Sequence, residues 1–165
     1  MPILNPALIL TGFVLAHAAW SVFDVRETLV PMAVIEKDGK RTLVRFEADT
    51  QAKAIDKGKA SMAAATKTAD AWAFVREDLM PEGGGKIEVF SVTFWSKGME
   101  SPAVLIQRFE PLAKNGTFKL IGEPKVVIRG VVQKPEQAKE LLRAVRQGVS
   151  QHPQAARLWD SWHSR

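Results

Sequence analysis

The segment KIEVFSVTFWSKGMESPAVLIQRFEP, residues 86–111, contains two β-rich runs separated by a short turn. The first run, residues 86–95, is rich in Val, Ile and aromatic residues, and the second, residues 103–110, follows the turn SKGMESP. Strands joined by so short a connection pair in the antiparallel sense, because a parallel pair needs a crossover of about a dozen residues. This segment therefore predicts the middle of an antiparallel sheet.

Turn signals divide the chain on the C-terminal side of this segment. Asn115-Gly116 is predicted to turn the chain before TFKLI, and residues 122–124 (GEP) are predicted to turn it again before KVVIRG. A run of residues with high β propensity follows each turn. Residues 70–130 are therefore predicted to form a meander of antiparallel strands.

Two further strand signals lie on the N-terminal side. Residues 72–79 favour a strand, and a helix that continues to Leu79 is the alternative. Residues 31–48 are predicted to form a hairpin, because Asp38-Gly39 supplies the positive φ angles of a type I′ turn. With the meander, these signals predict a largely antiparallel sheet of about five to seven strands.

Three helical regions are predicted around the sheet. Residues 1–27 form an apolar, buried helix, residues 50–68 form a central helix after the hairpin, and residues 134–163 form the C-terminal helices, the first of them closing near Gln147-Gly148. The strands cluster into hairpins and do not alternate with helices. This order predicts an α+β fold in a single domain, residues 1–165.

The N-terminal apolar stretch ILTGFVLAHAAWSVFD, residues 9–24, has three interpretations. The sequence AHA at residues 16–18 fits a signal-peptide cleavage site, but no Lys or Arg occurs before Arg26. A membrane anchor needs about 20 mostly apolar residues, and this stretch contains several polar ones. We favour a core helix that Asn5 caps and that Pro6 begins. The core-helix interpretation predicts a cytoplasmic protein with no membrane association. Cleavage of residues 1–18 as a signal peptide would instead indicate a secreted or periplasmic protein.

Composition excludes several kinds of chemistry. The 165-residue chain has no cysteine, so disulfides, thiolate catalysis and cysteine-ligated metals are excluded. Its net charge of +5 permits anionic partners, but basic residues alternate with acidic ones along the chain. We therefore do not expect nucleic-acid binding. A weak form of it would use basic residues of the hairpin and central helix: Lys37, Lys40, Arg41, Arg45, Lys53 and Lys57.

Catalytic and metal-binding motifs are not apparent. The three histidines, His17, His152 and His163, have no partner at metal-ligand spacing. The GGGK sequence at residues 83–86 leads into a strand and lacks the helix N-terminus that a phosphate-binding loop uses. We therefore predict no catalytic residue, no metal site and no cofactor.

Polar residues at apolar strand positions are the best candidates for a ligand site. A sheet with one solvated face produces the same pattern through cross-strand ion pairs, and we regard this as the simpler explanation. The alternative is a polar pocket in which an arginine holds an acidic ligand by paired hydrogen bonds. The candidates are Arg76, Glu88, Gln107, Arg108 and Glu110.

Aromatic residues near the two ends of the chain are candidates for a protein interface: Phe13, Trp20, Trp159 and Trp162. Indoles are enriched at interfaces, although core packing is their ordinary role. The leading hypothesis is a non-enzymatic accessory domain that binds a protein partner, or itself as a homodimer, through its terminal helices and open sheet face. The alternatives are a small-ligand-binding or metal-independent enzyme domain and a weak nucleic-acid binder.

Overall fold

The computed structural model describes residues 2–163, which contain one seven-stranded sheet. The strands are β1 (Met32–Lys37), β2 (Lys40–Arg45), β3 (Ala71–Glu82), β4 (Gly85–Ser96), β5 (Ala103–Glu110), β6 (Lys119–Ile128) and β7 (Val131–Val132). Their order is β2-β1-β3-β4-β5-β6-β7, and all neighbours are antiparallel. The predicted α+β class with a largely antiparallel sheet is confirmed.

Five α-helices occur within residues 2–163: α1 (Asn5–Val22), α2 (Gln51–Ala65), α3 (Leu112–Asn115), α4 (Pro135–Ser150) and α5 (Pro153–Trp162). Helix α1 packs on β3 and β4, and α4 and α5 pack on α1 from the other side. Helix α2 connects β2 to β3 and contacts β1 and β3. We call the α1 side of the sheet the inner face and the α2 side the outer face.

Each face of the sheet has its own hydrophobic cluster. On the inner face, Val75, Val92, Leu105 and Val126 form one row across four strands and belong to the main core with α1. The outer face has a smaller cluster beneath α2, formed by the strand side chains that point away from α1. Its members are Ala33, Phe46, Met62, Trp72, Phe74 and Trp95.

Helix α1 lies between the sheet and α4. Eleven of its 18 residues are buried. The segment Pro2–Val22 has the length and mean hydropathy (1.6) of a membrane span, and 61% of its apolar window is buried in the fold. A helix that is apolar on most sides needs cover on most sides, and here the sheet and α4 supply it.

Two glycines bring the backbones of α1 and α4 into contact. A Cβ atom at Gly12 would overlap the carbonyl oxygen of Val145, and a Cβ atom at Gly148 would overlap that of Ile9. Helix α4 continues to Ser150, two residues beyond the expected end near Gln147-Gly148, and Gly148 serves close packing within the helix.

Three smaller expectations have different outcomes. The hairpin turn is confirmed, with positive φ at Asp38 (51°) and Gly39 (78°). The expected turn at residues 122–124 is instead an irregularity within one strand, β6, where the register with β5 shifts. Asn5 does not cap α1, because a 3₁₀ turn at Pro2–Leu4 precedes it and puts Leu4 at the N-cap.

Gly12→Ala and Gly148→Ala are expected to lower the free energy of unfolding by about 3 kcal/mol each, because the added methyl group overlaps backbone atoms. Urea denaturation measures the change. The control is Gln147→Ala at an exposed position of α4, which should change the stability by less than about 0.5 kcal/mol. Glycine variants as stable as the control would contradict the close contact.

Candidate functional site

A cavity of about 240 Å³ lies on the inner face between α1, α4, α5 and strands β5 and β6. Leu15 of α1 and Leu142, Val145 and Val149 of α4 form much of its apolar wall, together with Trp159 of α5. Its polar lining comes from a strand, the β6 irregularity and the helices: Gln107, Glu123, Arg146, Asp160 and His163.

Gln107 is the polar residue at the base of this cavity, and its side chain is fully buried. Its Nε2 atom donates to the backbone carbonyl oxygens of Arg108 (2.9 Å), Gly122 (3.1 Å) and Ile121 (3.3 Å). Within residues 2–163, its Oε1 atom has no hydrogen-bond partner. The amide nitrogen therefore holds the backbone of β5 and β6, and the amide oxygen is a buried acceptor on a residue that lines the cavity.

The irregularity in β6 makes this arrangement possible. Residues 122–124 take no place in the β5–β6 register, and Gly122 has a positive φ of 70°. The carbonyl groups of Ile121 and Gly122 lie at this irregularity, and the Gln107 side chain donates to both of them. The same segment puts Glu123 and Pro124 in the cavity wall.

Charged residues surround the cavity mouth. Glu123, Arg146 and Asp160 are exposed, and the ion pairs within residues 2–163 involve none of them. His163 Nδ1 lies 2.9 Å from the carbonyl oxygen of Trp159, which ties the end of α5 to the cavity wall. The mouth thus carries two carboxylates and one guanidinium group.

An apolar groove of about 630 Å³ adjoins the cavity, since Glu123, Pro124, Leu142 and Arg146 line both. It lies between α4 and the β6–β7 edge of the sheet. Its other walls include two lysines, whose carbon stems can cover apolar surface. The remaining lining residues are Lys125, Val132, Gln133, Pro135, Ala138 and Lys139.

The five residues predicted from the strands do not meet in one site. Gln107 faces the cavity from the inner face, whereas Arg76, Arg108 and Glu110 belong to the outer face. Glu88 lies on the inner-face side of β4, opposite Leu79. Gln107 is therefore the only one of the five that lines the cavity.

The outer-face candidates form ordinary surface pairs. Arg76 lies 3.2 Å from Asp78, and Arg108 lies 3.0 Å from Glu82. Glu110 accepts a hydrogen bond of 3.3 Å from the side-chain amide of Asn115. Pairs of this kind add little to stability, about 0–1 kcal/mol, and they agree with the simpler explanation of the sequence pattern.

A second, open cleft of about 430 Å³ lies at the start of α2 and is lined by both Arg76 and Glu88. Glu77 also lines it, and burial raises the pKa of this carboxyl from its ordinary value of 4.5. Glu77 accepts a short hydrogen bond (2.6 Å) from the Leu29 backbone N–H. Through this bond the Glu77 side chain holds the loop that precedes β1, which is a structural role.

The predicted interface aromatics are largely internal. Trp162 is 5% exposed and packs edge-on against Phe118, with ring centroids 5.6 Å apart. Trp159 is half-buried and lies in the cavity wall. Phe13 and Trp20 are half-buried and lie against His152, with centroid distances of 5.6 and 5.7 Å.

A hydrogen-bonded histidine pair links α1 to the start of α5. His17 Nδ1 lies 2.9 Å from His152 Nε2, and His152 Nδ1 accepts from the Ala155 backbone N–H at 3.1 Å. The proton of neutral His152 therefore lies on Nε2 and is donated to His17. Sequence analysis misses this pair, because 135 residues separate its members and neither belongs to a motif.

Burial lowers the pKa of both histidines below the ordinary value of 6.5. For His17, the nearby His152 and Arg45 lower it further. Each imidazole is therefore held in its neutral form, as the hydrogen bond between them requires.

Comparison with family models, with curated proteins and with solved structures finds no match for this chain. Within residues 2–163, no three His, Cys, Asp or Glu side chains are grouped so that they could hold a metal ion.

The histidine pair makes stability depend on pH. Because both pKa values are lowered by folding, the unfolded chain binds more protons below about pH 6.5, so the free energy of unfolding falls as pH decreases through this range. Thermal unfolding between about pH 7.5 and about pH 5.5 measures the slope. His17→Gln with His152→Asn should flatten it, since Asn keeps an oxygen that can cap α5.

The natural protein is the matched control for this double variant. Glu77, whose pKa folding raises, changes stability in the opposite direction above its ordinary pKa, and its contribution cancels in the comparison. An equal pH slope in the two proteins would show that the histidine pair is not the titrating element.

Proposed function

We propose that this protein is a non-enzymatic domain that binds a small organic molecule in the cavity beside Gln107 and in the adjoining groove. The observation that carries the proposal is the Gln107 amide oxygen, which is buried and has no hydrogen-bond partner among residues 2–163. An unsatisfied buried acceptor costs about 1–3 kcal/mol. A ligand that donates a hydrogen bond to this oxygen would remove that cost.

The form of the cavity also supports ligand binding. Ligand sites are usually concave, mostly apolar and provided with a few polar groups that fix orientation. Here the wall is built from α4 and α5 side chains, and the buried polar group lies at the base. The groove extends the available space toward the β7 edge.

A cytoplasmic location accompanies this proposal. Cleavage after Ala18 would remove most of α1, and the inner face would lose the helix that covers β3 and β4. The apolar rows of the inner face would then be open to water, at a cost of about 25 cal/mol per Å² of exposed apolar surface. This cost favours the uncleaved chain as the form that folds.

Ligand binding is tested by a fragment screen in ¹H–¹⁵N NMR spectra. Fragments are expected to shift the side-chain amide signal of Gln107 and the indole signal of Trp159. Leu142→Phe should fill the space shared by cavity and groove and weaken binding at least about tenfold, a factor that corresponds to roughly 1.4 kcal/mol. The matched control, Leu43→Phe on β2, should leave binding unchanged, since Leu43 is 42% exposed and lines neither space.

Two results would remove the proposal. One is a set of fragment shifts that lie elsewhere on the protein and are insensitive to Leu142→Phe. The other is a complete absence of shifts at Gln107 and Trp159 across the screen.

Self-association is the second candidate function, and the outer face of β4–β6 favours it. Val104, Ile106, Ile121 and Val127 point outward and are half-exposed, whereas α2 packs on β1 and β3. Apolar patches of this kind mark interaction surfaces. A second copy of the chain, meeting this face with its own, would form a homodimer.

Light scattering after size-exclusion chromatography tests the dimer. The natural protein is expected to have twice the mass of one chain, and Ile106→Lys is expected to have the mass of one chain, because the charge would be buried in the interface. Leu79→Lys is the control, since Leu79 is 54% exposed and lies outside this patch. A monomeric natural protein would exclude this second function.

A further inference from the structure

We infer that the ligand of this cavity carries a hydrogen-bond donor, an N–H or O–H group, at the end of an apolar chain, and that a carboxylate at that position is rejected. This inference rests on the proposed ligand-binding function and defines its chemical class. Its basis is the fixed orientation of the Gln107 amide, the charges at the mouth and the apolar groove.

The Gln107 amide is fixed in one orientation. Its nitrogen is within 3.3 Å of three carbonyl oxygens. Rotating the amide by half a turn would bring Oε1 against those same oxygens, which are all acceptors. The oxygen therefore remains the acceptor end of this amide, and only a hydrogen-bond donor can satisfy it.

The charges at the cavity mouth also favour a donor head group over a carboxylate. Glu123 and Asp160 are carboxylates, and Arg146 is the one cation among the cavity-lining residues. The two lysines, Lys125 and Lys139, line the adjoining groove and not the cavity, so they lie beside the hydrocarbon part of the ligand. The carboxylates at the cavity therefore favour an ammonium head group over a carboxylate. Specificity often depends on such repulsion as much as on attraction.

The groove determines the part of the ligand that extends beyond the donor group. Leu142 borders both the cavity and the groove, and Val132, Pro135 and Ala138 extend the apolar wall toward the sheet edge. A hydrocarbon chain that leaves the cavity past Leu142 would be covered along this wall. Lysine side chains also border the groove, where their carbon stems can pack on that chain.

Four probes with seven carbon atoms each test the head group: heptylamine, heptanamide, heptan-1-ol and heptanoate. Isothermal titration calorimetry on the full chain gives each Kd, and the Gln107 and Trp159 NMR signals locate the binding. The three donors are expected to bind in the cavity, and heptanoate is expected to bind at least about tenfold more weakly, because it would leave the buried acceptor unpaired and face two carboxylates.

Two variants test whether the preference for donor head groups depends on the Gln107 amide and on the Asp160 carboxylate. Gln107→Leu should weaken the three donors about tenfold, with little change for heptanoate. Asp160→Asn changes only an exposed side chain, so it keeps the fold even where Gln107→Leu does not. It should weaken the binding of heptylamine, whose ammonium group is charged, about threefold more than that of heptanamide, an effect within the range for a partly exposed charge.

Each outcome separates this inference from the proposed function. Heptanoate that binds in the cavity as tightly as the donors overturns the inference and leaves ligand binding intact. Donors unaffected by Gln107→Leu also overturn it, since the natural partner of Oε1 would then be a buried water molecule. Absence of binding by all four probes overturns the inference, and only if the fragment screen also fails at Gln107 and Trp159 does the proposed function fail with it.

Discussion

The backbone contact between α1 and α4 at Gly12 and Gly148 determines how the inner face of the sheet is covered. Because α1 lies directly on β3 and β4, and α4 lies directly on α1, α4 is held one helix layer above the middle of the sheet. The β6–β7 edge therefore receives only partial cover from α4. The space that remains there is the cavity and its groove, so the proposed ligand site depends on this helix contact.

The β6 irregularity and Gln107 complete the site from below. In a regular strand the β5–β6 ladder would pair the backbone carbonyl groups. A buried glutamine would then have no carbonyl group to bind. Where the register shifts, the Gln107 nitrogen donates to the carbonyl groups of Ile121 and Gly122. The amide oxygen of Gln107 is left without a hydrogen-bond partner among residues 2–163. The side chain of Gln107 thus both binds the backbone of the irregular strand and provides a polar group at the cavity. This double role explains why a polar residue occurs at a core position.

Local rules predict the strands and hairpins well, because alternation and Asp-Gly turns act within a few residues. They predict Gln107 as a ligand candidate for its polarity at an apolar position, but they group it with Arg76 and Arg108, which the pleat sends to the other face. Gly148 shows a further limit: glycine resembles a helix stop until the partner helix is known. His17 and His152 are harder still, since their meeting depends on the packing of α1 against α4 and α5.

The position of α1 has a consequence for biosynthesis. The ribosome makes this helix before the strands it packs on, and α4, which covers it, is made about 130 residues later in the chain. Contacts of such long sequence separation slow folding, and until they form, an apolar helix is open to water and to other chains. During translation this apolar helix is therefore exposed for as long as the ribosome takes to make the chain between α1 and α4.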